Sequence, residues 1–452
     1  MDAHNSNAAG AARCPMYDAD FAAAPEKVYN YIREHGPAGP VELAPGVEAT
    51  LVVEHETARR VLQSPGLFAR DGRRWTALNE GRIPLDSPVL PMMAYRPNCL
   101  FTDGAQHLRL RKAVTESLDR LNVARVRRDV EPIAAYLIDQ FSELGRADLV
   151  NHYAKLLPML LINKLFGCPP AIGDRVTTAM ADMFDGRDSL RASEELADCF
   201  LELVALKRRS PAEDITSWLV RHSAGLSDEE LKDQLVMLIG ASVEPERNLI
   251  ANTLLLLLER GGDDGPSMGI EDALDRVLLN DPPIANYATH FPLQDVDLGG
   301  VLAPANTPVV ISFAGANSDP ALAEAGHAHG RSAHLAWGAG PHACPAKSLA
   351  QVVAVTAIEQ LLNALPDIAI SESAGELQWR PGPFHRALAT LPVEFAPAPA
   401  TRTASAYRPT PTRSVAAQPV PRVPAPGTPG TPGASDRPKK GFWSSFLEIF
   451  RV

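Results

Sequence analysis

The stretch His334-Leu-Ala-Trp337-Gly338-Ala-Gly340-Pro-His342-Ala-Cys344-Pro345-Ala346-Lys-Ser-Leu-Ala-Gln351 decides the reading of this chain. Two glycines in a Gly-x-Gly spacing let backbone come close to something flat or bulky. A single cysteine follows at once. The pattern after it turns helical, with Pro345 suited to a first helical position. Cys344 is therefore expected at or near a helix N-cap. A thiolate there faces unpaired N–H groups and the positive end of the helix dipole, which stabilises the anion. A lone thiolate on a glycine loop suits one soft axial ligand for an iron. For the cysteine taken alone, a buried free thiol beside a turn is the plainer reading.

Taken whole, the loop resembles the haem-binding loop of the cytochrome P450 family, the haem-thiolate monooxygenases. Their pattern is Phe-Gly-x-Gly-x-His-x-Cys-x-Gly, followed by a Leu-Ala helix. Gly338, Gly340, His342 and Cys344 match, while Trp337 replaces the Phe and Ala346 the last Gly. The resemblance implies a mainly α fold with a small β region and one haem b bound through Cys344. It implies insertion of one oxygen atom from dioxygen into a small organic substrate. Electrons are then expected from NAD(P)H through a ferredoxin and ferredoxin reductase.

Composition sets outer limits. The chain has 452 residues and a net charge of −11, which argues against general nucleic-acid binding. Its five cysteines are odd in number and far apart, with no CxxC pair, so zinc and a disulfide framework are not expected. The N-terminus is polar without an apolar core segment, and no apolar run approaches a membrane span. A soluble, cytoplasmic protein is the reading.

Other stretches extend the resemblance over about residues 20 to 395. Residues 1–20 look loose, and short strands with one helix over Val52 to Leu62 follow from Leu43. In Gly104-Ala-Gln-His107-Leu-Arg-Leu-Arg111, His107 and Arg111 lie four apart and share a helix face. The resemblance makes these two a grip on haem propionates, and arginine suits a carboxylate bidentately. His290 stands where the family usually has an arginine for the same purpose. Residues 120–209 read as mostly helical. Met92, Met93, Tyr95 and Phe184 fall where the family shapes its substrate pocket, with core packing the alternative for each.

Leu231 to Arg260 reads as a long apolar helix and resembles the one that crosses the haem. Aligning on Asn248-Leu249-Ile250 puts Ala241 on the family's Ala and Glu244 on its acid. Pro245 falls where a threonine normally helps deliver protons to dioxygen. Proline has no hydroxyl and no N–H, and inside a helix it clashes with the carbonyl four residues back. The helix is thus expected to open at Ala241, with Glu244 or Glu246 relaying protons instead. The helix before Asp281-Pro282-Pro283 lacks the family's Glu-x-x-Arg, with Arg276 and Leu279 at those positions. The literal Glu244-x-x-Arg247 lies on a different helix. The later loop that bonds to the family motif also looks short, as a coordinated removal would leave it. These losses carry an alternative reading: a catalytically weakened haem protein acting as a sensor or accessory subunit. They resemble the actinobacterial members encoded in the clusters called conservons.

Residues 396–440 are Pro-, Ala- and Thr-rich and read as a disordered linker. Residues 441–452 carry Phe442, Trp443, Phe446, Leu447, Ile449 and Phe450 at helical spacing. Residues 396–452 hold eight Lys/Arg against two Asp/Glu, a net of +6 that leaves −17 for the rest. Such a tether suits docking to a protein partner or an anionic membrane surface. A two-turn helix is not stable alone in water and needs a surface to fold against. Deleting 396–452 should leave haem binding and melting temperature almost unchanged, and abolish partner pull-down or association with anionic vesicles. A large drop in melting temperature would mean that the tail packs on its own domain.

Overall fold

The computed structural model describes residues 13–184, 189–260, 268–324 and 334–400. Helices dominate these segments. The longest, Asp228–Arg260, runs for 33 residues through the middle of the fold. Its apolar residues serve two clusters. Leu231, Leu235, Ile239 and Val243, at four-residue steps, pack with Leu110, Val114, Phe166 and Phe200. Leu249, Ile250, Leu254 and Leu255 pack with Ile133, Leu157, Val353 and Ile358. A helix that is apolar on several faces belongs in the interior. The polar stretch Gly240–Asn248 lies where one cluster hands over to the other. The helix Lys347–Ala364, which follows the cysteine loop, packs against this central helix and against Val123–Asp139.

The β region is small. Edge to edge, the main sheet runs Cys14–Pro15, Ala38–Ala44, Val47–Val52, Val309–Ser312, Asn286–Pro292 and Phe68–Ala69. Pro45-Gly46 turns the first hairpin: Gly46 has φ 76° and its N–H donates to Glu42 Oε1 at 2.7 Å. Within Asn286–Pro292 the pairing slips between Tyr287 and His290, and Ala288 sits at φ 53°. This bulge re-aims the residues beside it. The helix Gly104–Leu118, with His107 and Arg111, starts directly after Asp103.

Several expectations need correction. Part of the N-terminal stretch read as loose is built in: Cys14–Pro15 pairs with Val41 and Glu42, and Met16 is fully buried. The segment read as mostly helical contains the strand Arg146–Asp148, which pairs with Pro392–Glu394. Strands of two or three residues are too short to show periodicity. The linker begins later than residue 396, because Ala396 N–H donates to Asp367 and Ala398 N–H to the Ser142 carbonyl. The cut that tests the tail therefore falls after Ala400. Residues 401–452 lie outside the described residues, as does most of the short loop before His334. The central helix does not open at Ala241: helical geometry continues through Pro245. The proline forfeits one bond, and the long apolar packing on both sides holds the helix in line.

Among the described residues, no helix is long and apolar enough to cross a membrane. Burial has one consequence for pH. His290 and His385 are both pushed down to about 3, chiefly by desolvation. Below about pH 6.5 an unfolded chain takes up protons that these folded sites refuse, so stability falls as pH drops from 6.5 toward 3. The slope approaches roughly 1.4 kcal/mol per pH unit for each histidine. Melting temperature should fall steadily from pH 7 to pH 5, and His385→Gln should make that fall shallower. A flat profile would show that the histidines are not held neutral.

Candidate active site

The cysteine loop is fixed by its glycines. Gly338 and Gly340 have φ 69° and 68°. A Cβ on Gly340 would lie 2.3 Å from the Leu62 carbonyl oxygen, so the loop rests directly on the end of the helix His55–Gln63. Leu335 N–H donates to Asn317 Oδ1 at 2.7 Å, and Cys344 N–H to the Trp337 carbonyl at 2.8 Å. Cys344 lies two residues before the helix cap, near it as expected, whereas Pro345 does not take the first helical position. The helix begins at Lys347 with Ala346 as its cap, so Cys344 and Pro345 stand outside it. The Cys344 thiol pKa is raised, not lowered, because protein crowds it on all but one side. The Ala346 N–H and the charge of Arg111 oppose that rise without overcoming it.

On its remaining side Cys344 is exposed. Gly240 and Ala241 are exposed too, in the middle of an otherwise buried helix, and a Cβ on Gly240 would meet nothing within 4 Å. Pro245, one turn beyond Ala241, shares its face. Glu244 and Glu246 are turned about 100° to either side. The two acids differ sharply. Glu244 accepts from Arg380 and from Arg247 at 3.4 Å, with Asn248 Nδ2 at 3.4 Å. The literal Glu-x-x-Arg thus closes as an ion pair with a later arginine as its third member, although it lies on the central helix. Glu246 is buried, its Oε1 has no partner, and desolvation raises its pKa well above the usual carboxylate range.

A second cluster gathers three histidines and two arginines. His107 is 3% exposed and its ring lies 4.1 Å from that of His342, tilted by 34°. Arg111 donates to the Ala343 carbonyl, next to Cys344. His290 is buried with Nδ1 against the Ala288 carbonyl and its ring edge-on to Phe68. Sequence reasoning missed one member, Arg70. It is 3% exposed, donates to the Thr289 carbonyl at 2.7 Å, and its charge bears on His107, His290 and His342. Burial, reinforced by Arg70 and Arg111, lowers the pKa of His107 and His342. The one acid close by, Asp103, lies 4.0 Å from His342.

Haem fits this chemistry. His107 Nε2 and His342 Nδ1 are buried polar atoms without partners among the described residues. Arg70, buried, and Arg111, half-buried, supply positive charge that calls for carboxylates. The exposed thiol of Cys344 offers the axial ligand. The suggested pocket residues are more ordinary. Met93 is fully buried in the core with Met92 packed beside it, Tyr95 lies under Arg73 at 4.0 Å, and the Phe184 side chain lies outside the described residues.

Comparison with known proteins agrees. No family model matches the chain. It is 33% identical over 396 residues to the cytochrome P450 monooxygenase PikC of Streptomyces venezuelae, covering 83% of this chain and 92% of that one. It is 30% identical over 394 residues to mycinamicin IV hydroxylase/epoxidase of Micromonospora griseorubida, covering 81% and 94%. Among solved structures, CYP154C4 from Streptomyces sp. W2061 superposes with a TM-score of 0.74 at 26% identity, over 85% of this chain and 98% of that one. With the cysteine loop, the central helix and these relatives in agreement, the chain belongs to the cytochrome P450 family and is a haem-thiolate monooxygenase.

Proposed function

We propose that the chain inserts one oxygen atom into a small organic substrate with electrons from NAD(P)H through a ferredoxin and its reductase. The observation that carries the reading is the exposed thiol of Cys344 on its glycine loop, where the charges of Arg111 and of Glu246 from the central helix both bear on it. Haem bound there supplies dioxygen activation, with the thiolate donating electron density. Cys344 is the ligand, Gly338 and Gly340 bring the loop close, and His107, Arg111 and His342 orient the cofactor by its carboxylates. The curated relatives include hydroxylases named for mycinamicin IV and 6-deoxyerythronolide B. Compounds of that kind are the first substrates to try.

Proton handling is where this chain departs from its relatives. Pro245 puts no hydroxyl on the face of Ala241. Glu244 is engaged by Arg380 and Arg247, which makes it an anchor for the late loop. Glu246, buried and with its pKa raised by desolvation, is the remaining candidate donor, from a neighbouring face. This pattern favours a second reading, a weakened enzyme with a sensing or accessory role. The C-terminal segment, as a docking element for a protein or membrane partner, would serve either reading.

Two measurements test these readings. The reduced carbon-monoxide complex should show the red-shifted Soret band of a thiolate haem, and Cys344→Ala should lose it; a variant that keeps the band would sink the ligand assignment. Pro245→Thr should raise product formed per reducing equivalent severalfold and cut hydrogen peroxide release, as restored general acid–base help allows. If the wild type is already tightly coupled and the variant matches it, Glu246 carries proton delivery unaided and the weakened reading is lost.

A further inference from the structure

Arg70 is the least explained charge in the molecule. It ends the short strand Phe68–Ala69, which pairs with Phe291 and Pro292 on the strand carrying His290. Its main-chain N–H donates to both oxygens of Asp103, at 3.0 and 2.9 Å, and Asp71 N–H donates to the same carboxylate at 3.0 Å. Asp103 therefore clamps backbone and accepts nothing from the Arg70 guanidinium. The guanidinium finds only neutral acceptors: the Thr289 carbonyl at 2.7 Å, the Leu100 carbonyl at 3.4 Å and the Tyr287 side chain alongside. The Asp103 charge reaches the Arg70 guanidinium, but among the described residues no carboxylate is hydrogen-bonded to it. A buried guanidinium without such a bond is costly unless an anion completes it.

Its surroundings say where that anion belongs. Asp103, which fixes the Arg70 backbone, also lies 4.0 Å from His342 and immediately precedes the helix of His107 and Arg111. His107 Nε2 and His342 Nδ1, both partnerless, belong to the same cluster. The residue expected at this edge from sequence, His290, is poorly placed to serve. Its Nδ1 is taken by the Ala288 carbonyl within a bulge, and its ring meets Phe68 edge-on.

We propose that Arg70 binds a carboxylate of the haem and takes over the role expected of position 290. The planar fork of arginine suits that task, and the Thr289 and Leu100 carbonyls fix its orientation in advance. The inference rests on the haem reading and adds a residue to it.

The test compares haem with its propionate dimethyl ester, which lacks the carboxylate charge. Holoprotein is reconstituted with each, and transfer of the cofactor to excess haem-free myoglobin is followed. Arg70→Ala should speed loss of ordinary haem roughly ten- to a hundredfold, as expected for a charged hydrogen bond. It should leave loss of the ester unchanged, and any effect of His290→Ala should be the same for both cofactors. Equal acceleration of both cofactors would make Arg70 a purely structural residue and overturn the proposal. So would no acceleration, or an ester-sensitive effect confined to His290→Ala. If Arg70→Ala is not recovered folded, Arg70→Lys decides by the same comparison, since it keeps the charge and loses the fork. Failure of the wild type itself to take up haem would overturn the haem reading, and that result is seen before any variant is made.

Discussion

The structure depends on burying one long helix along most of its length. Asp228–Arg260 is held by one apolar cluster through its first half and by another through its second. Each buried leucine in such a helix contributes about 1.5–3 kcal/mol, so the helix position is over-determined. That surplus explains why Pro245 is tolerated in its interior, where a proline costs about 3 kcal/mol. It also forces a solution on the polar stretch at the hand-over. Glu244, Asn248 and Asn252 cannot be buried bare, and they recruit the C-terminal segment. Arg380 meets Glu244, and the Arg386 carbonyl accepts from Asn252 at 3.0 Å. The same packing that fixes the helix therefore fixes the late loop, and leaves Gly240 and Ala241 facing open space.

What was legible in the sequence follows the range of the interactions. The cysteine loop could be read because its geometry is local: Gly338, Gly340 and Cys344 lie within seven residues, and positive φ at both glycines is a backbone demand. The central helix could be read from its length and apolar content. The offset of Cys344 from the helix start could not, because it depends on the Cys344 bond to the Trp337 carbonyl. Arg70 was invisible for a stronger reason. It meets His107 and His290 only because Phe68–Ala69 pairs with Phe291 and Pro292, a contact across more than two hundred residues. The clue available was an arginine directly after Phe68 and Ala69, with no acid placed to pair with it locally except Asp71, which bonds Arg73 instead. Glu244 and Arg247 could be paired by spacing, but Arg380 lay beyond any spacing argument.

The departures from the family pattern are not equivalent in physical terms. Removing one member of a buried ionic network strands a charge, whereas moving the network keeps every member satisfied. The helix Ile270–Asn280 carries Arg276 and Leu279 where the family has its pair, yet a Glu, an Arg and a later Arg meet on the central helix. At the proposed cofactor edge, position 290 carries a histidine held neutral by burial, and the charge of the buried Arg70 bears on it. Both places keep arginine close to the groups that need it, although not at the positions where the family pattern puts it. Pro245 is different. The hydroxyl three residues before it, on Ser242, is engaged with the Leu238 carbonyl at 2.7 Å, and the nearest acids are turned aside or engaged. A proline at this turn removes a side-chain hydroxyl and one main-chain N–H without displacing the helix, because the packing on both sides fixes it. The fold beneath Ala241 is therefore left intact by the departure at position 245.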